Sequence, residues 1–184
     1  MKPDVLLVAA KSFDWPAIRE YATSLERTGF KGKKVIFVDH VTDYARRKLE
    51  CYGFELIDFA AKEPEGVVGN DGVVTVGKVK RLPGWLFSIA RWTPVVNYLQ
   101  EHKDEFRYVI WTDIGDVVFQ TDPSKWLEEH IGTFEIVGAT ESTLTKESPA
   151  NAQWVKDTVP ESYSNLADKE TCCAGTLAGT AERF

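Results

Sequence analysis

The opening run at 5–10, Val-Leu-Leu-Val-Ala-Ala, limits what this chain can fold into more than any other feature. A strand with one wet face alternates apolar and polar residues, whereas an unbroken apolar strand must be covered on both faces. Two further strand signals follow at 35–38 (Val-Ile-Phe-Val) and 54–59 (Phe-Glu-Leu-Ile-Asp-Phe). The segments between them carry the helical period. Ile18, Tyr21, Ala22 and Leu25 share one face of a helix that Ser12 or Asp14 can cap, with Pro16 in its first turn and Gly29 at its end. Thr42 or Asp43 caps a second helix through Tyr44, Arg47 and Leu49, stopping near Gly53. Strand, helix, strand, helix, strand at this spacing requires parallel pairing through right-handed crossovers. The expected class is α/β: a Rossmann-like sandwich with a mostly parallel central sheet and helices on both faces. At 184 residues the chain is long enough for one domain with a full core.

The rhythm breaks over 62–84, where Gly66, Gly69, Asn70, Gly72, Gly77 and Pro83 predict a loop or short hairpin. Helical character returns from about Trp85 to Glu101, with an interruption expected at Pro94. Residues 108–111 (Tyr-Val-Ile-Trp) read as a fourth buried strand. Asp122 and Pro123 open a short helix that Gly132 closes, and 134–138 reads as a fifth strand. The polar stretch 140–171 predicts one helix, capped at Asn151 and stopped before Pro160. Residues 172–179 are small, and 180–184 read as a helix just beginning, which suggests that a C-terminal portion is missing.

Net charge is −6, from 22 basic and 28 acidic side chains, and the basic residues are scattered, in no run longer than short ones such as Lys-Val-Lys-Arg at 78–81. A nucleic-acid or anionic-membrane binder needs a positive face, so neither partner is expected. No apolar stretch approaches the ~20 residues of a transmembrane helix. The three cysteines, Cys51, Cys172 and Cys173, are odd in number with two adjacent, which is no disulfide framework and points to the cytoplasm. His40, His102 and His130 show no metal-ligand spacing.

Chemistry concentrates in Trp111-Thr112-Asp113-Ile114-Gly115-Asp116. Asp113 and Asp116 follow directly on a buried strand, and in a straight strand their odd spacing would send them to opposite faces. They converge only if the chain turns between them, and Gly115 tolerates the positive φ such a turn often needs. Two converging carboxylates repel unless a cation lies between them. Mg2+ and Mn2+ suit this role, since one or two carboxylates plus substrate phosphates commonly hold them. Ligands of open α/β sheets bind outside the carboxyl ends of the strands, where Asp113 stands. The alternative is a structural turn whose acids are solvated or cap nearby backbone.

The run YVIWTDIGDVVFQTDP at 108–123 closely resembles the central motif of a group of GT-A glycosyltransferases, which carry a strand, an Asp-x-x-Asp or Asp-x-Asp, then Val-Val-Phe-Gln and Asp-Pro. The run CCAGTLAGT at 172–180 is similar to their later small-residue strand. The resemblance implies one GT-A-like domain over 1–184. In it, 1–120 is the nucleotide-sugar-binding half and 121–184 the incomplete start of an acceptor-side half. It implies metal-dependent transfer of a sugar from a UDP- or GDP-sugar to a saccharide, protein or other small acceptor, with Mn2+ or Mg2+ as cofactor. It places the metal on Asp113 and Asp116. It also puts Asp113 and Ser12 against the donor, together with Arg91, which resembles a donor-facing arginine of the family, while Asp39, at the end of the second strand, can accept from a base or ribose. Glu141 falls where the family often has an acidic residue, and it is the candidate catalytic base for an inverting route. The family often has Arg where this chain has Gly115, and a later His where none follows His130.

The competing readings of these residues are bland. Ser12 can cap a helix, Asp39 can serve helix entry, Arg91 can sit in a surface ion pair, and Glu141 can be a solvated loop acid. Phe13 and Trp15 are candidates for the base or ribose, or for the core. Lys80 and Arg81 are candidates to close over a diphosphate. Trp85, Trp92 and Trp154 suit sugar stacking or core packing. Gly175 and Gly179 suggest close backbone approach to a ligand or to a neighbouring element. Two rival functions stay open: a nucleotidyltransferase of the same fold, which would usually have a Gly-rich loop where this chain has Ala9-Ala10-Lys11-Ser12, and a non-catalytic or degenerate α/β domain binding a nucleotide or partner.

Overall fold

The computed structural model describes residues 2–59, 67–68, 74–76, 79–81 and 90–184. In chain order these form β1 (Val5–Lys11), α1 (Trp15–Thr28), β2 (Lys33–Asp39), α2 (Asp43–Cys51), β3 (Phe54–Asp58), β4 (Val67–Val68), β5 (Val74–Val76), β6 (Val79–Arg81), α3 (Trp92–His102), β7 (Tyr108–Thr112), α4 (Pro123–His130), β8 (Ile136–Leu144), α5 (Pro149–Thr158), α6 (Tyr163–Leu166) and β9 (Glu170–Thr180). A six-stranded sheet runs β3-β2-β1-β7-β9-β8, and β4-β5-β6 make a small antiparallel sheet. β1 pairs in parallel with β2 on one side and β7 on the other, and β2 pairs in parallel with β3.

The apolar strands are buried on both faces, as their lack of alternation requires. One face of the sheet offers Leu6, Val8, Ala10, Ile36, Val38 and Ile110. It packs in one cluster with Ile18, Tyr21, Ala22 and Leu25 of α1, Ala45 and Leu49 of α2, and Leu127 of α4. The opposite face carries Phe37 and Trp111. Phe37 meets Tyr98 of α3 edge-on at 5.9 Å, and Trp111 lies 4.6 Å from Trp92 between ring centroids. Helices therefore cover both faces, and the fold is the α/β sandwich expected.

The chain divides into two compact units, residues 1–137 with 178–184, and residues 138–177. The first holds the parallel strands. Asp4, almost fully buried, closes its base: Arg107 Nε and Nη2 donate to the two Asp4 carboxylate oxygens at 2.9 and 2.8 Å, and Tyr108 N donates to Oδ1 at 3.2 Å. Arg107 also pairs with Glu128, and Ala181 N donates to Arg107 O at 3.0 Å. The second unit is built on hydrogen bonds such as Thr145 N to Lys169 O at 2.9 Å and Ala152 N to Ser148 O at 2.8 Å.

Several local expectations change. Pro94 does not interrupt α3, because it sits in the first turn, where its missing N–H costs no helical bond. The N-terminal part of the predicted 85–101 helix lies outside the described residues. Ser148, not Asn151, caps α5, accepting from Asn151 N at 3.3 Å. β8 starts at Ile136 and runs on to Leu144. Residues 181–183 form a turn rather than a helix, with Arg183 N and Phe184 N both bonded to Thr180 O. Ser12 does not cap α1: Asp14 is the cap residue and its side chain makes no capping bond. Thr42 and Asp122 cap as expected, accepting from Ala45 N at 3.3 Å and Ser124 N at 2.9 Å.

Candidate functional site

Strand order alone marks where a ligand would bind. The chain winds outward from β1 through β2 to β3, then returns to place β7 on the other side of β1. The crossovers diverge between β1 and β7, which opens a crevice at their carboxyl ends. Val8 of β1 is level with Thr112 of β7, so Asp113 and the β1 terminus, Lys11 and Ser12, stand at that crevice.

The acidic segment bends over 114–116. Ile114 turns into the core, Gly115 and Asp116 are exposed, and Asp113 is half-buried. Gly115 does not adopt a positive φ, the role expected of it. A Cβ there would meet only the Phe13 ring, at 3.6 and 3.8 Å, which is ordinary contact. The bend thus comes from burying Ile114 between two outward acids, and Phe13 lies beneath it.

Arg91 and Asp113 form an ion pair, and the guanidinium carbon lies 5.2 Å from the centroid of the Trp111 ring. The Arg91 side chain is 12% exposed and that of Asp113 35%, and Arg91 Nε is buried without a hydrogen-bond partner among the described residues. Beneath them, the Tyr21 and Thr112 hydroxyls are hydrogen-bonded at 2.6 Å. Burial, reinforced by the charge of Asp113, drives the Tyr21 phenol well above its ordinary pKa against the opposing effect of the Thr112 bond, so it stays neutral.

A second group gathers at the ends of β1 and β2, which are in register from Val5 to Lys11. Asp39 is buried, and its carboxylate accepts from His40 Nδ1 and lies 3.6 Å from Lys11 Nζ. Ser12 N donates to Asp39 O at 2.8 Å. Ser12 and His40 both take left-handed backbone, with φ of 57° and 54°. Such conformations cost energy outside glycine and asparagine and tend to persist where the surroundings enforce them. The His40 side chain is 82% exposed. Sequence reasoning passed over Lys11, which only the register of β1 on β2 brings to Asp39, and His40, which adjoins Asp39 in the chain but carries no spacing signal.

Ser12, Asp39, Arg91, Asp113 and Asp116 therefore all belong to the first unit, at strand ends or against β7. Glu141 lies in the second unit, exposed on β8, accepting from Asn151 Nδ2 at 3.2 Å. Lys80 and Arg81 fall in β6, but their side chains, like Trp85, lie outside the described residues. Trp15 is buried and tilted on Tyr52, Trp92 packs on Trp111, and Trp154 is exposed. A Cβ on Gly179 would meet Glu135 O at 2.5 Å, so its close approach is to neighbouring backbone. Among the described residues no group of three or more His, Cys, Asp or Glu is placed to hold a metal, and no helix is long and apolar enough to cross a membrane.

No protein-family model and no curated protein matches the sequence. Solved structures do. Glucosyl-3-phosphoglycerate synthase from Mycobacterium tuberculosis, in complex with Mn2+, UDP and glucosyl-3-phosphoglycerate, matches with TM-score 0.52 at 16% identity over 98% of this chain and 57% of that chain. The same synthase with Mn2+, UDP-glucose and glycerol 3-phosphate matches with the same TM-score, identity and coverage. Another crystal structure of that synthase gives TM-score 0.52 at 17% identity, over 98% of this chain and 58% of that one. The chain thus spans a little over half the length of the structures it matches. At these identities the likeness establishes the fold, and this chain has the fold of the GT-A nucleotide-sugar glycosyltransferases.

Proposed function

We propose that this chain binds a nucleotide-sugar at the crevice between β1 and β7 and serves metal-dependent sugar transfer from it. The observation that carries the reading is the placement of Asp113 and Asp116 just past the end of β7, at the switch point of a GT-A fold. Solved proteins of that fold hold Mn2+ with UDP or UDP-glucose. The donor set suits such a metal: two carboxylates, with no third ligand gathered among the described residues, fit a hard cation that takes its remaining ligands from phosphates and water. Mn2+ or Mg2+ on Asp113 and Asp116 would supply positive charge to the diphosphate leaving group.

The chain's own residues do the rest by positioning and charge. Arg91, braced on Trp111, is aimed at the acidic turn, where its guanidinium charge would face a diphosphate. Asp39 and Ser12 at the β1 and β2 termini accept and donate to the ribose or base. Glu141 is our candidate for taking the acceptor's proton if the transfer inverts. A UDP-sugar is the preferred donor, with a GDP-sugar the alternative, and the acceptor is a saccharide, protein or other small molecule. The Arg91–Asp113 pair favours one second reading, a non-catalytic nucleotide-binding domain, because it already gives the first carboxylate a cationic partner.

Calorimetric titration of UDP and GDP, with and without Mn2+, separates these. The reading expects Mn2+-dependent binding that Asp113→Asn and Asp116→Asn each abolish in folded protein. Binding that ignores both Mn2+ and the substitutions would sink it in favour of the second reading.

A further inference from the structure

The interface between α1 and the sheet is apolar apart from one chain of polar groups. Tyr21 and Ser24, one turn apart on α1, are both fully buried. The Tyr21 hydroxyl is bonded to that of Thr112, immediately before Asp113. The Ser24 hydroxyl donates to Tyr21 O at 3.0 Å and accepts from Phe119 N at 3.0 Å, just after the turn. The Tyr21 ring meets the Phe119 ring edge-on, 5.2 Å between centroids and 69° between planes. The exposed acidic bend is therefore tied to the same helix at both of its ends, with Ile114 buried in the same cluster between them.

Apolar side chains would fill this interface at least as stably, since a buried hydroxyl costs free energy unless fully bonded. What hydrogen bonds add over apolar packing is direction, and each of these fixes one backbone position flanking the acids. We propose that Tyr21 and Ser24 are positioning residues that set the Asp113–Asp116 bend in the geometry a divalent cation and diphosphate require. This rests on the function proposed above, since it assumes that the bend binds Mn2+ with a nucleotide. Neither residue touches the ligand; they act through Thr112 and Phe119.

The test uses substitutions that remove one hydroxyl and little else: Tyr21→Phe, Ser24→Ala and Thr112→Val, each in the whole chain. Mn2+ affinity in the presence of UDP is read from the free-ion signal in electron paramagnetic resonance, and the line shape of bound Mn2+ reports its ligand geometry. Partners behind metal ligands commonly contribute 10- to 100-fold to metal affinity, so a loss of about 10-fold is expected for each variant, with an altered line shape. Tyr21→Phe and Thr112→Val together should lose no more than either alone, since they break one bond. Thr112→Ser, which keeps the hydroxyl, should restore wild-type binding. Leu49→Ala, a core truncation on α2, controls for general destabilisation and should leave affinity per folded molecule unchanged. If Tyr21→Phe does not fold, Ser24→Ala and Thr112→Val carry the test. Wild-type protein that fails to bind Mn2+ with UDP would remove the underlying function. Wild-type binding with folded hydroxyl variants that bind equally well and give the same line shape would overturn the positioning role alone.

Discussion

Substituting Arg91 should move two affinities in opposite directions. In the ligand-free protein its guanidinium is paired with Asp113, so a cation arriving alone must displace it. A hydrogen bond to a charged group contributes roughly 1.5–3 kcal/mol. Asp113 is 35% exposed, and solvent screening brings the pair down to about 1–2 kcal/mol. That range corresponds to roughly 5–30-fold in an equilibrium constant. Arg91→Gln should therefore bind Mn2+ alone about 5–30-fold more tightly than wild type, because the carboxylate is freed while its charge remains. The same variant should bind UDP with Mn2+ more weakly, because a phosphate contact is gone. Mn2+ titration followed by the free-ion resonance signal measures the first, and calorimetry with UDP at saturating Mn2+ measures the second. An Arg91→Gln protein that is folded and binds Mn2+ alone no better than wild type would refute the competition. A loss of both affinities would show Arg91 to be a structural brace for the turn.

Three substitutions test named contacts through stability. Asp4→Ala strands part of the Arg107 fork and should cost about 2–3 kcal/mol, towards or below the low end for a broken buried pair because Arg107 keeps Glu128. Melting should drop by very roughly 4–12 °C at this chain length. Burial pushes the Asp4 carboxyl up, but the Arg107 and Ser124 hydrogen bonds, the Arg107 charge and the Tyr108 N–H outweigh it, and the net pKa lies below the ordinary 3.8. A depressed carboxylate contributes fully above its unfolded value and loses that contribution as pH falls through the folded one. The gap between wild type and Asp4→Ala should hold at neutral pH and shrink below pH 3.8 in acid melts, and a gap that widened there would contradict the assignment. Gly115→Ala should change stability by less than about 1 kcal/mol, since its backbone is ordinary and the new methyl touches only Phe13. Gly179→Ala should be clearly destabilising, because its methyl would collide with Glu135 O; urea titration of both variants checks this, and comparable midpoints for the two would be against both readings.

Much of the fold follows from local pattern. Unbroken apolar runs such as 5–10 and 35–38 can be satisfied only as strands covered on both faces, and the 3.6-residue period of Ile18, Tyr21, Ala22 and Leu25 dictates the covering helix. Capping chemistry is similarly local, so Thr42 and Asp122 were legible, while Ser148 was hidden beside Asn151 because both side chains suit a cap. The bend after β7 was legible from two acids following a buried strand, but its cause was not. Burial of Ile114, rather than the freedom of Gly115, turns the chain, and burial depends on what α1 and α4 bring against β7.

The sequence by itself determined the α/β class, the parallel β1-β2-β3 unit and the carboxylates at the end of β7, because each depends on residues within about one element of one another. Only the tertiary structure decided that β7 returns beside β1 rather than beyond β3. That choice carries Arg91 to Asp113, while the register of β1 on β2 carries Lys11 to Asp39 beside its chain neighbour His40, and the return of β7 brings the Tyr21 hydroxyl to Thr112. These partners stand 22, 28, 1 and 91 positions apart along the chain. Hydrogen bonds and ion pairs act over a few ångströms in space, and apart from the His40–Asp39 neighbours nothing in the spacing of these residues announces that strand order will bring them within reach.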